Sequence, residues 1–143
     1  MTETPQLSYA ECVDRLRAAR EALTVLPSVL FHATGDQLGE TLEALGDLSA
    51  HGEAAEVAIT VEALDRGEPA SSSPPLSARD WVRTHHRRYA VAGASRLVDV
   101  AEACRDPRHH VLRDAVTTGR VSIGTAKVTI GEMRLMKPHL NPE

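Results

Sequence analysis

The sequence predicts an all-α protein: an irregular helical bundle with a long central helix and a helix-turn-helix-like C-terminal pair. Three observations carry that prediction. Apolar residues make up 42% of the chain and only 3% is aromatic, so the apolar mass is Ala, Leu and Val, of which Ala and Leu favour helices and Ala lets them pack closely. Apolar positions recur at spacings of three and four. No stretch alternates long enough to require a strand; the one tempting run, ALTVLPSVLF, is divided by Pro27.

The elements follow in order. Residues 1–7 are expected to be loosely attached. Ser8 and Glu11 have capping-box spacing, and Val13, Leu16, Ala19, Leu23 and Leu26 give the first helix its face, with Pro27 as its end. The connector PSVLFHATGD has room for one further turn, with Phe31 as a plug into the core. A second helix is expected from Asp36 or Gln37. Leu38, Leu42, Leu45 and Leu48 form its stripe, continued by Ala55, Ile59 and Ala63. Gly39, Gly46 and Gly52 weaken its interior, so either another helix approaches closely there or the helix breaks. Unbroken to Arg66, it would extend roughly 45 Å. Gly67 is its C-terminal cap.

EPASSSPP, Glu68 to Pro75, reads as a linker with polyproline character. Ser77 opens a short helix carrying Trp81 and Val82. From about Ala90 to Cys104, another buries Ala94, Leu97, Val98, Ala101 and Cys104. Asp106 and Pro107 are an N-cap and a first-turn proline for a helix with Val111, Leu112, Ala115 and Val116 that stops at Gly119. Ser122 caps the last helix, whose inward face is Ile123, Ala126, Ile130 and Met133 and whose end is Pro138. Trp81, Leu97, Leu112, Ile123 and Ile130 are the expected structural anchors. The resulting division is a long-helix hairpin over 1–67, a Pro/Ser linker over 68–76 and a short-helix region over 77–137, together one partial helical domain.

Charge divides the chain. Residues 1–78 carry 4 basic and 13 acidic side chains, net −9, whereas residues 79–143 carry 12 basic and 7 acidic, net +5, giving −4 for the whole. Binding to nucleic acid must therefore be confined to one face of the second half. The candidate is Arg120, Lys127 and Arg134, seven residues apart on the last helix and flanked by Gly124 and Gly131. A basic ridge on the second helix of such a pair, with its N-terminus as an anion attractor, suits the DNA phosphate backbone. The first turns offer only Ser122, Gly124 and Thr125 for reading bases. An ordinary solvated face is the competing reading.

Other chemistry is sparse. No Gly-x-Ser-x-Gly elbow, phosphate-binding loop or His-Glu-x-x-His occurs. His85 with His86 and His109 with His110 are adjacent pairs, which point apart on a helix and do not chelate a metal as pairs. Asp and Glu on amphipathic helices read as solvated. Cys12 and Cys104 lie in helical stretches and read as reduced core thiols. MTETPQLSYAEC has no signal-peptide core and no apolar run is long enough to cross a bilayer, so a cytoplasmic chain is expected.

Four segments in order carry a family resemblance: EALDRG at Glu62–Gly67, LSARDWVR at Leu76–Arg83, ASRLVDVAEA at Ala94–Ala103 and VLRDAVTTGRVSIGTAKV at Val111–Val128. Over roughly residues 38–135 the chain resembles the actinobacterial domain of unknown function 222, the helical N-terminal region of many HNH-endonuclease-type proteins and of the mycobacterial 13E12-repeat proteins. The resemblance implies a non-catalytic helical module, cut off before any HNH module, with no cofactor of its own. A divalent metal would enter only with such a module, and neither His139 nor Asn141 takes a catalytic role. Two other functions compete: a structural module that self-associates or docks on a further C-terminal segment, and, remotely, an autonomous metal-dependent nuclease.

Overall fold

The computed structural model describes residues 6–140, and side chains as far as Leu135. It is all-α, with no strand among the described residues. Seven helices are described: α1 (Tyr9–Val29), α2 (Gly35–Arg66), α3 (Glu68–Ser71), α4 (Ala78–His85), α5 (Val91–Arg105), α6 (His110–Thr117) and α7 (Ile123–Leu140). Turns of 3-10 helix occupy Leu30–His32 and Pro107–His109. The chain forms two compact units, one as far as Ala44 and one from Leu45 onward, so the boundary falls within α2.

In the first unit, α1 opens on a complete capping box: Glu11 N donates to Ser8 Oγ at 3.2 Å, and Ser8 N to Glu11 Oε2 at 2.7 Å. Pro27 does not end the helix; it lies within the last turn, where its missing N–H forfeits one i→i−4 bond, and α1 runs to Val29. The further turn in the connector is present at Leu30–His32, but Phe31 plugs no core and is 79% exposed. A second capping box, between Thr34 and Gln37, starts α2. No described residue of this unit is buried.

Helix α2 is unbroken over 32 residues, about 48 Å. No other helix closes on its glycines: a Cβ built on Gly39, Gly46 or Gly52 meets nothing within 4 Å. Its buried face in the second unit is Ala54, Val57, Thr60, Val61 and Ala63. The expected continuation through Ala55 and Ile59 is one residue out of register, and Ile59 is 60% exposed. Gly67, at φ +70°, ends α2. Pro69 is buried at the start of α3, and its carbonyl accepts from Leu76 N at 2.9 Å. The Pro/Ser stretch therefore begins as a hydrogen-bonded hook, where a polyproline helix would make no internal bonds.

The second unit is built around α5. Ala94, Leu97, Val98, Val100, Ala101, Ala103 and Cys104 are all buried, so α5 is covered almost all round, as a central helix must be. Around it pack Val57 and Val61 of α2, Val82 of α4, Val116 of α6, and Ile123, Ala126 and Ile130 of α7. Burying each Val, Leu or Ile side chain stabilises by about 2 kcal/mol, and the small cross-section of Ala at 94, 101, 103 and 126 lets the helices come together. Trp81 and Leu112 are partly buried against this core. Met133, expected to face inward, is 39% exposed. Pro138 does not end α7, which runs to Leu140; the missing N–H removes one bond of its last turn. Residues 1–5 of the stretch 1–7 expected to be loosely attached, and Asn141, like the side chain of His139, lie outside the described residues.

Candidate functional site

The turn between α6 and α7 has a defined geometry. Gly119 adopts φ +78°, Arg120 N donates to Ala115 O at 3.0 Å and Gly119 N to Val116 O at 3.2 Å. This is a Schellman closure, in which a left-handed residue satisfies the last carbonyls of the helix. The turn rests on α2: the pro-chiral face of Gly119 looks at His51 Nδ1, 3.5 Å from where a Cβ would stand. Ser122 then caps α7, its Oγ accepting from Thr125 N at 3.1 Å.

A second group holds that helix end. Ile123 N donates to the Glu53 carboxylate of α2. The positive end of the α7 dipole therefore already faces an anion supplied by the protein, which meets the same electrostatic demand that a phosphate would.

The three sequence-derived cations have different surroundings. Arg120 is exposed, and its Nε donates to Thr118 Oγ1 at 3.1 Å. Lys127 is half-buried and donates to Asp99 Oδ2 on α5; Arg79 of α4 approaches the other oxygen of Asp99 at 3.6 Å. Arg134 is exposed. Asp99 thus takes the middle cation out of the ridge, and Arg120 stands in the turn before α7, not on that helix with Arg134.

The histidines do structural work separately. His86 Nε2 lies 2.9 Å from Glu56 Oε1, and Tyr89 Oη donates to Glu56 Oε2 at 2.5 Å. The His86 and Tyr89 rings stack at 4.0 Å. A Cβ on Gly93 would stand 2.8 Å from Tyr89 Cδ1, so Gly93 makes room for the ring. Burial and then the Glu56 carboxylate push the Tyr89 phenol well above its ordinary value, so it remains a donor. This cluster ties α2 to the segment entering α5. His85 lies against Trp81, ring centroids 4.7 Å apart, and His109 Nδ1 donates to Ala103 O at 3.0 Å. No group of three or more His, Cys, Asp or Glu residues suited to a metal occurs among the described residues. Cys104 is buried, which raises its thiol pKa against the opposing pull of Arg113; Cys12, expected in the core, is exposed because α1 has no core to enter.

Comparison with known proteins finds no matching family model, no similar curated protein and no similar solved structure. The site must be read from its own chemistry.

That chemistry consists of carboxylates that bridge helices and of exposed side chains. Glu53 and Glu56 were treated as solvated in the sequence, yet each bridges elements. Each stands four residues before a buried residue, Val57 and Thr60, and so shares the inward face of α2, a register that the sequence alone did not mark. The other feature is the apolar exposure of the first unit. Leu16 is 67% exposed, Leu42 72% and Phe31 79%, and Leu23, Leu30 and Leu38 are exposed with them.

Proposed function

We propose that this chain is a non-catalytic helical docking module, of the kind that the resemblance of residues 38–135 associates with HNH-type nucleases. One observation carries the docking part: the first unit exposes a row of large apolar side chains on α1, the turn at Leu30–His32 and the start of α2, with no described residue buried among them. Scattered apolar side chains are normal on a surface, whereas rows of them mark contact surfaces. The resemblance supplies the nuclease context and no more. In dilute solution a polarity-sensitive dye should bind the wild-type chain. The double variant Leu16→Glu, Phe31→Ser should bind much less, with the Trp81 emission of the second unit unchanged. Failure of the dilute wild type to bind dye would remove the reading.

Contact with the DNA phosphate backbone is the second reading, favoured by the exposure of Arg120 and Arg134. With Lys127 held by Asp99, two phosphates are the number these residues can neutralise, which predicts a log–log salt slope of about −2. Asp99→Asn should steepen that slope by about one contact. Duplex binding that is absent at low salt, or unaltered in Arg120→Ala, Arg134→Ala, would exclude it.

A further inference from the structure

The joint between α4 and α5 concentrates positive charge. Residues 79–96 carry five arginines, Arg79, Arg83, Arg87, Arg88 and Arg96, and one acid, Asp80. Arg79 is engaged by Asp99 at 3.6 Å. Arg83 approaches Asp80 only at 3.8 Å, with both side chains about half exposed, and such a surface pair holds a side chain weakly. Arg87, Arg88 and Arg96 are exposed, and no described carboxylate lies within ion-pair distance of any of them. Both acids that α2 brings to the joint are engaged, Glu56 by His86 and Tyr89 and Glu53 by Ile123 N.

The backbone fixes Arg87 and Arg88 beside each other. Tyr89 N donates to His86 O at 3.1 Å, closing a four-residue turn whose two corners are these arginines. The ends of the turn, His86 and Tyr89, are both tied to α2 through Glu56. Arg83 lies in the last turn of α4, three residues before His86. Arg96 lies three residues beyond Gly93, the position that faces the Tyr89 ring, and so on the same side of α5. Rings lie among the cations. Exposed His85 rests against Trp81, and Trp81 and Tyr89, half of the chain's four aromatic residues, are only partly buried.

We propose that this joint binds single-stranded nucleic acid, with Arg87 and Arg88 on neighbouring phosphates and Arg83 and Arg96 extending the track. The site is separate from the α6–α7 corner and from the exposed row of the first unit, and rests on neither reading above. Each cation is an arginine, whose planar fork matches two oxygens of one phosphate. A turn tied down at both ends presents two such forks without having to be ordered by the ligand. Positive charge along a backbone track, with rings beside it for unpaired bases, is the combination by which single strands are held. A duplex keeps its bases inside and would meet the cations alone. A bilayer is the poorer fit, because the residues exposed between Arg83 and Ala90 are Arg83, Thr84, His85, Arg87, Arg88 and Ala90, with Val91 the single large apolar side chain beside them.

The test is fluorescence anisotropy of a labelled oligothymidylate of about 12 nucleotides, the size that such surfaces take, with the full chain over a salt series. The wild type should bind at low salt. Arg87→Ala, Arg88→Ala should bind at least ~10-fold more weakly and flatten the log–log salt slope by about 1.4, the share of two phosphate contacts on a single strand. Arg87→Lys, Arg88→Lys should keep the slope and lose part of the affinity, because the charge remains and the fork does not. Unchanged helical circular dichroism shows that the variants remain folded. Arg120→Ala, Arg134→Ala should bind the oligonucleotide as the wild type does. No binding at low salt would overturn the inference, as would equal binding by Arg87→Ala, Arg88→Ala. Loss of binding in Arg120→Ala, Arg134→Ala alone would place the contact at the α6–α7 corner and overturn it too. Displacement at equal charge concentration by polyglutamate, by a duplex of the same length or by phosphatidylserine vesicles would show a site for negative charge in general, and the single-strand assignment would fall.

Discussion

Tyr89 is a tyrosine whose hydroxyl proton is held between a half-buried site and a carboxylate. Its pKa is raised by burial first and by Glu56 second. The sign of the consequence follows from linkage. The unfolded chain releases the phenol proton near 10 while the folded chain retains it, so the stabilisation is complete below that pH and declines as pH rises beyond it. Tyr89→Phe should therefore flatten the alkaline limb of a urea-midpoint against pH curve, and wild type and variant should run parallel at neutral pH; an unchanged alkaline limb would count against the Glu56 contact. At the acid end, Glu11 and Asp106 are both lowered, by hydrogen bonds from Ser8 and Arg108 respectively. Their help to the fold is present above about pH 4 and is lost below it. Glu11 is exposed and Asp106 is partly buried, and each closes a local cap, so the acid effect is confined to fraying of the two caps. Of these three residues, the sequence marks Glu11 and Asp106 through their spacing to Ser8 and Pro107. Nothing local marks Tyr89, because its partner is 33 residues away.

At the level of the element, the bend between α6 and α7 depends on one backbone conformation. Gly119→Ala should cost about 1–2 kcal/mol, the penalty for an L side chain in the left-handed region. Space is not the cause, because the nearest atom to the added Cβ stands at an ordinary 3.5 Å. Gly119→Asn should lose less than Ala, and equal losses for the two would point to crowding against His51 instead. Urea unfolding followed by Trp81 emission gives the comparison. This bend was legible because its chemistry is local: a Gly to stop one helix and a Ser to cap the next. The start of α2 was legible in principle through Thr34 and Gln37, whose capping-box spacing matches that of Ser8 and Glu11. The register of the buried face of α2 was not. Ala63 is buried as expected, but Ala55 and Ile59 have helical spacing as good as that of Ala54, Val57 and Val61, and only the neighbours in the second unit choose between them. The pairing of Lys127 was hidden for a similar reason. Spacing places Lys127 on a face, but Asp99, which occupies it, is 28 residues away.

At the level of the whole molecule, the described core belongs to one unit. All the buried residues come from Ala54 onward, and α5 is enclosed by its neighbours. Hydrogen exchange should reflect this. The amides of α5 should exchange slowest at every protein concentration. Those of α1 should exchange rapidly in dilute solution; protection of α1 equal to that of α5 would contradict a first unit with no described residue buried. The composition announced helices throughout, since Ala and Leu dominate both halves. It did not announce that the buried residues among those described would all fall in one unit. Leu16, Leu23 and Leu38 have the spacing of buried residues, and a periodic pattern records that a face is apolar without recording what lies over it.

Helix α2 carries eight carboxylates before its single arginine, in an unbroken run of backbone. Arg66 reaches Glu62 at 2.8 Å and Arg105 reaches Asp65 at 2.7 Å, so the cations gather at the C-terminal end. Toward the other end the helix behaves as a short polyanion, whose self-repulsion mobile ions can screen over a Debye length of about 10 Å at 0.1 M salt. Dissolved sodium or magnesium should accordingly deepen its helical circular dichroism, whereas a protein held together by surface ion pairs loosens as the medium becomes more saline.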